Sequence, residues 1–112
     1  MKPRDRDKLE EILKVAREII EVTDGKERSD LDRDIMLKRT LERCIEIMGE
    51  AANVLSEDVK LEHSDIDWQK IIGMRNRLVH EYFEVDYDII WDASQDKVPG
   101  LISYLEHILE EE

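Results

Sequence analysis

The sequence predicts an all-α protein, a four- to five-helix up-and-down bundle that dimerises, and three observations carry that prediction. Charged residues make up 41% of the chain and aromatic residues 5%, which suits long solvated helices and not a sheet rich in aromatic and β-branched side chains. Apolar residues recur at three- and four-residue steps along successive stretches, the mark of amphipathic helices. The polar breaks between those stretches are short, as in a bundle of sequential neighbours. At 112 residues the chain can build one core and not two, so residues 1–112 read as a single domain.

In the first stretch, Pro3 and Asp5 suit a helix start, where the missing N–H does no harm and a carboxylate meets the positive end of the dipole. Leu9, Ile12, Leu13, Ala16, Ile19 and Ile20 then form one face, and Asp24-Gly25 ends the helix with a left-handed cap. Ser29 with Asp32 resembles a capping box that opens a long helix running to about Leu55. Its main stripe is Leu37, Leu41, Cys44, Ile45, Met48, Ala51, Ala52 and Leu55. A second stripe, Met36, Thr40, Ile47 and Val54, lies about 120° away. Either the bundle buries both stripes, or the second one meets another subunit. Cys44 sits on the core stripe and reads as a small packed hydrophobe, not a nucleophile.

Ser56 to Ser64 is polar and reads as a break or short turn, with His63 a surface histidine. Ser64 or Asp65 is placed to cap a helix that turns Trp68, Ile71, Ile72, Leu78 and Val79 inward, and Gly73 within it suggests a close approach by backbone or ligand. After Tyr82 the pattern loosens. Asp86 is placed to cap a helix through about Gln95, anchored by Ile89, Ile90 and Ala93. Pro99 restarts the chain, and Val98, Leu101, Ile102, Leu105, Ile108 and Leu109 give a last amphipathic helix. The final Glu110-Glu111-Glu112 opposes its dipole and is expected to fray.

Several function classes drop out. No stretch of ~18 apolar residues spans a membrane, and the first residues show no signal-peptide core, so no membrane partner is expected. One cysteine excludes an internal disulfide and fits a reducing cytoplasm. A net charge of -12 argues against general coating of nucleic acid, so any RNA must bind at a local basic surface. Such a surface exists. From Trp68 to Tyr82, Lys70, Arg75 and Arg77 stand against Glu81, a net +2.

Within that island, Met74-Arg75-Asn76-Arg77-Leu78-Val79-His80-Glu81-Tyr82 combines a fixed cation, a titratable imidazole and a phenol. On a straight helix Tyr82 lies about 20° from Arg75, while His80 lies about 140° from Arg75 and 40° from Asn76. Convergence of Arg75 with His80 then needs local unwinding, the reach of the arginine, or a second copy of the motif across a dimer. The residue types suit cleavage of RNA by its own 2′-hydroxyl. Histidine serves as base or acid near neutrality, and arginine offers a planar fork to phosphate oxygens. Asn76 can orient either partner. The three histidines, at 63, 80 and 107, fall in different elements, so no metal cluster and no cofactor is expected. The bland alternative is that Arg75 pairs with a carboxylate, His80 packs neutral and Tyr82 fills core.

The Arg-x4-His-x-Tyr spacing of Arg75, His80 and Tyr82 resembles the signature of HEPN-domain proteins of the HepT type, toxin halves of HepT–MntA toxin–antitoxin pairs. Met48-Gly49-Glu50-Ala51-Ala52-Asn53 is similar to that family's Gly-Glu-Ala element. Asp67 to Asn76 is similar to its approach to the motif, and Asp88-Ile89-Ile90-Trp91 to its sequel. The resemblance covers the chain from Asp34 onward. It implies a HEPN-like bundle and a metal-independent endoribonuclease, with Arg75 and His80 catalytic, Asn76 supporting, and the site composed at a homodimer cleft. It also implies a type VII-like toxin–antitoxin pairing, in which an MntA-like antitoxin nucleotidyltransferase silences the enzyme by attaching AMP to Tyr82. Without that resemblance, Tyr82 walls the cleft or stacks on a base. Two further readings stand beside the enzyme: a non-catalytic module that binds a nucleotide or partner, and a purely structural helical dimer.

Overall fold

The computed structural model describes residues 1–111, apart from the side chain of Tyr82. Helix α1 spans Pro3–Thr23, with Pro3 in its first turn and Asp5 beside it. It ends where Gly25 takes a φ of 73°, a left-handed turn that glycine adopts without strain. A four-residue helix, α2 (Asp30–Arg33), precedes α3 (Ile35–Val54). The expected capping box at Ser29 does not form. Its hydroxyl instead accepts from Arg33 Nη2 at 3.0 Å, and the chain breaks at Asp34. There an extended backbone and an Oδ1 that accepts the Leu37 amide at 3.1 Å make a stronger start for the long helix.

The polar Ser56–Ser64 stretch is not a plain turn but contains α4 (Glu57–Glu62), capped by Ser56 and anchored by buried Val59. Helix α5 (Trp68–His80) starts later than Ser64 or Asp65 would put it, because Asp67 Oδ1 accepts the Lys70 amide at 3.0 Å. His63 is half-buried, not a free surface residue. The buried Trp68 indole needs an acceptor and donates to the His63 carbonyl at 3.1 Å, and the Tyr104 ring stands edge-on to the imidazole at 6.0 Å.

Beyond a 3-10 turn at Tyr82–Glu84, helix α6 (Tyr87–Asp92) is capped by Asp86 as expected. It does not stop at Gln95. A π-helical segment, Ala93–Lys97, runs straight into α7 (Val98–Glu111) without leaving helical backbone angles. The Val98 amide reaches back five residues to the Ala93 carbonyl. Pro99 therefore restarts nothing. It has no N–H for the Gln95 carbonyl and would collide with it in a regular turn, and the wider turn just before it relieves that collision. The expected fraying at Glu110-Glu111 is also absent, since α7 holds to Glu111, whose carboxylate meets His107 Nε2 at 2.9 Å. Glu112 lies outside the described residues.

Helix α3 packs against both α5 and α1, and α1 also packs against α7, so α1 and α3 form the middle of the bundle. Every residue of the main α3 stripe is buried. On the second stripe Met36 is 72% exposed and Ile47 and Val54 are half-buried. Three apolar residues expected inside, Ile20, Val79 and Ile89, face out, while Val15 and Trp91 take interior places. Cys44 is buried, and burial beside Glu18 pushes its thiol up to about 11, which keeps it protonated and inert. Among the described residues, no helix is long and apolar enough to cross a membrane.

One buried carboxylate ties the two middle helices end to end. The amide and hydroxyl of Ser56, just past α3, donate to Asp5 Oδ1 and Oδ2 of α1 at 2.9 Å each. The Ser56 amide holds the Asp5 carboxyl below its ordinary value, with a smaller contribution from the hydroxyl, and outweighs the opposing effect of burial. A lowered folded value means that Asp5 contributes stability above its unfolded value of ~3.9, and that the contribution fades as pH falls through the folded one. Asp5→Ala should cost about 1–3 kcal/mol in urea melts at neutral pH, because Ser56 is left unpaired. The gap between variant and parent should narrow in melts taken at progressively more acid pH; a gap independent of pH would mean the carboxylate charge is immaterial.

Candidate active site

The motif helix packs along α3 and comes closest to its backbone at Gly49. A Cβ on Gly49 would lie 2.1 Å from Arg75 Cβ and 3.1 Å from the Ile71 carbonyl oxygen, so only glycine lets α5 lie this near. The close approach inferred for Gly73 is not there, since nothing stands within 4 Å of where its Cβ would be. Gly73 looks away from α3, and the glycine that matters is on the partner helix.

From that contact the Arg75 side chain turns back along α3. Its Nη2 pairs with Glu50 Oε2 at 2.6 Å, and its Nη1 donates to Asn76 Oδ1 at 2.8 Å. Two of five donors are thus engaged, which fixes the plane of the fork and leaves the others for an incoming oxygen. The guanidinium side chain is 24% exposed, at the edge of an open groove of about 310 Å³ between α1, α3 and α5. Arg43, Glu46, Ile47, Glu50 and Val79 line it, with Glu11 from α1. Val79 faces this groove and not the core, being about 40° round the helix from Arg75.

His80 is the last residue of α5 and is exposed. Its side chain makes no hydrogen bond or ion pair among the described residues. The helix stays regular up to it, closed by the Glu81 amide on the Arg77 carbonyl at 2.9 Å, and the backbone changes only afterwards. Unwinding inside the motif, one of the three routes to convergence, is therefore not used. Within one chain His80 stays about 140° round the helix from Arg75, and the structure brings Arg75 together with Asn76 and Glu50 but not with His80. One part of the bland alternative holds, since Arg75 does pair with a carboxylate. A second part fails, because His80 is exposed and not packed. The third, Tyr82 filling core, lies outside the described residues.

The role expected of Tyr82 rests on its side chain and lies outside the described residues. The other two tyrosines are committed elsewhere. Tyr87 donates to Glu42, and burial together with that bond pushes its hydroxyl up to about 12. Lys38 Nζ also sits 4.3 Å from the centre of its ring. The Tyr104 hydroxyl lies 3.5 Å from His63 Nδ1. No group of three or more His, Cys, Asp or Glu side chains is gathered as for a metal among the described residues.

Glu50 and Gly49 are the site residues that periodicity did not single out. The cues available were the Gly-Glu-Ala resemblance already noted and the run Gly49, Ala51, Ala52, small residues that mark where a helix is approached closely.

Residues 12–108 match the family model described as "Ribonuclease HepT-like". A protein of Caldanaerobacter subterraneus subsp. tengcongensis that carries the name "Putative RNase" is 38% identical over 104 residues, covering 93% of this chain and 93% of its own. The "Probable ribonuclease HepT" of Thermococcus cleftensis is 33% identical over 101 residues, 90% of this chain and 92% of its own. A further "Putative RNase", from Methanocaldococcus jannaschii, is 30% identical over 93 residues, 83% of this chain and 85% of its own. No solved structure matches the chain.

The two glycines of the crossing make opposite predictions. Gly49→Ala should lower stability by about 1–3 kcal/mol, since α5 must shift to admit the methyl group. Gly73→Ala meets open space and should raise stability by up to ~1 kcal/mol through helix propensity. Thermal or urea melts of the pair check both signs together, and equal effects would contradict the crossing.

Proposed function

The chain belongs to the HepT-like family of ribonucleases, and we propose that it is a metal-independent endoribonuclease that cuts RNA by 2′-hydroxyl attack at a site shared between two copies. One observation carries the proposal: a partly exposed arginine fork, pre-oriented by Glu50 and Asn76, on the same helix as an exposed, unpacked histidine. In the reaction a His80 imidazole takes the proton of the 2′-hydroxyl as its oxygen attacks phosphorus. The same histidine, now protonated, returns that proton to the departing 5′-oxygen, leaving a 2′,3′-cyclic phosphate. Arg75 stabilises the extra charge on the phosphorane, to which its remaining donors are open. Asn76, one turn before His80, orients the fork from the histidine side. The angle of about 140° between Arg75 and His80 supports a composite site, in which each chain supplies one of the two. Exposed Ile35, Met36 and Val79 supply apolar surface for a homodimer on that side.

Arg75→Ala and His80→Ala should each lower RNA cleavage, assayed in EDTA, by at least ~100-fold. Stability should change little, because His80 is exposed and the Arg75–Glu50 pair is partly solvated and worth at most ~1 kcal/mol. Mixing the two variants should restore cleavage if the site is shared, since one of the two clefts in a mixed dimer then keeps both residues. A mixture as inactive as its parts would place both residues of a site in one chain. Loss of fold in either variant would return these residues to a structural role.

Tyr82 extends the proposal to regulation in a toxin–antitoxin pair. A partner nucleotidyltransferase would join the Tyr82 oxygen to the α-phosphorus of ATP and release pyrophosphate. The attached AMP would set an anion two residues past His80, where it competes with the RNA phosphate. Tyr87 and Tyr104 are poorer acceptors, the first with its hydroxyl held on Glu42 and the second beside His63. With such a partner, ATP and Mg²⁺, mass spectrometry should find AMP on the parent chain and none on Tyr82→Phe, which should stay active. Adducts on Tyr87 or Tyr104, or a silenced Phe variant, would overturn the assignment.

A further inference from the structure

A second cavity, of about 370 Å³ and so within the range of small-molecule sites, opens beside α5. Ile19, Ile45 and Met48 form its floor, Ile71 and Met74 of α5 one wall, and the π-helical segment with α7 the other. We propose that this cavity binds a small monoanionic amphiphile, a medium-chain carboxylate, with its tail on the floor and its head between Lys70 and Lys97.

Three features of the cavity point to that class. Its lining is mostly aliphatic, so it favours an apolar body. Lys70 and Lys97 both border it, and neither ammonium is ion-paired among the described residues, in a chain where 29 acidic residues compete for 17 basic ones. Gly100 also borders it. This glycine sits inside a continuous helix, where glycine is disfavoured, and nothing stands within 4 Å of where its Cβ would be. No packing contact calls for a glycine at this place, so a larger side chain there has room. Two carboxylates limit the charge of the occupant. Asp67 is engaged with the Lys70 amide, while Asp65 on the rim disfavours a second negative charge.

The test is independent of any nuclease activity. Decanoate titrated into the labelled protein should give saturable shifts of Ile71, Met74, Ala93 and Leu101 signals, with a Kd below about 1 mM, and decanol should bind about tenfold more weakly. The surface variant K70Q/K97Q should lower decanoate binding to the level of decanol and leave the fold unchanged. Gly100→Leu should fill the space, abolish binding and raise the melting temperature. Absence of saturable binding overturns the proposal. So does equal affinity for decanol and decanoate, or decanoate binding that K70Q/K97Q leaves intact. If Gly100→Leu does not fold, the lysine variant alone decides.

Discussion

Helices α3 and α5 cross at Gly49 at a distance that excludes even a methyl group, and the geometry of the motif follows from that approach. Because the Arg75 stem lies against bare backbone, its guanidinium can fold back one residue along α3 to Glu50 instead of reaching into solvent. The same approach brings Ile72 and Trp68 onto the buried face of α5. The ion pair at the crossing is not what stabilises the bundle: Glu50 is 58% exposed, and a pair of that kind is worth at most ~1 kcal/mol. Its effect is on orientation. The fork is fixed in a plane by two hydrogen bonds at right places on its rim, and it faces a groove rather than an arbitrary direction.

How much of this could be read beforehand depended on the range of the interaction. The main stripe of α3 was legible because burial repeats with the helical period, and all of Leu37 to Leu55 on that stripe lies inside. Caps were legible as residue types but not as choices. Ser29, Asp34, Ser64 and Asp67 all have suitable side chains, and what decided among them was which helix start let Leu31, Leu37 and Trp68 reach the core. Pro99 suits the first turn of a new helix, where its missing N–H does no harm, and a single wide turn lets it sit within a continuous one instead. Of the site, Arg75, Asn76 and His80 stood out by chemistry, within one stretch. Glu50 stood out only through the resemblance of its Gly-Glu-Ala element, since its partner lies 25 positions away and periodicity does not record a contact between helices. Gly73 and Gly49 are alike in sequence, and only the direction each faces separates them.

The basic island shows how a chain with a net charge of -12 can still address an anion. Lys70, Arg75 and Arg77 share α5, and two carboxylates beside them are engaged, Glu50 with Arg75 and Asp67 on the helix cap. The surrounding acidity repels polyanions from the rest of the surface and leaves this face as the place of least opposition.

Helix α5 is anchored unequally along its length. Its first turn is held by the Asp67 cap and by Trp68, whose indole is bonded to the His63 carbonyl. Its middle is held at the glycine crossing. In its last turn only Leu78 is buried, Val79 and His80 face solvent, and closure rests on the Glu81 amide. Local opening free energy accordingly falls from one end of the helix to the other, and amide hydrogens should exchange in that order, His80 well before Ile72. The arginine and the histidine of the motif thus belong to different tiers of the same helix, one set by the rigid crossing and one able to relocate without disturbing it.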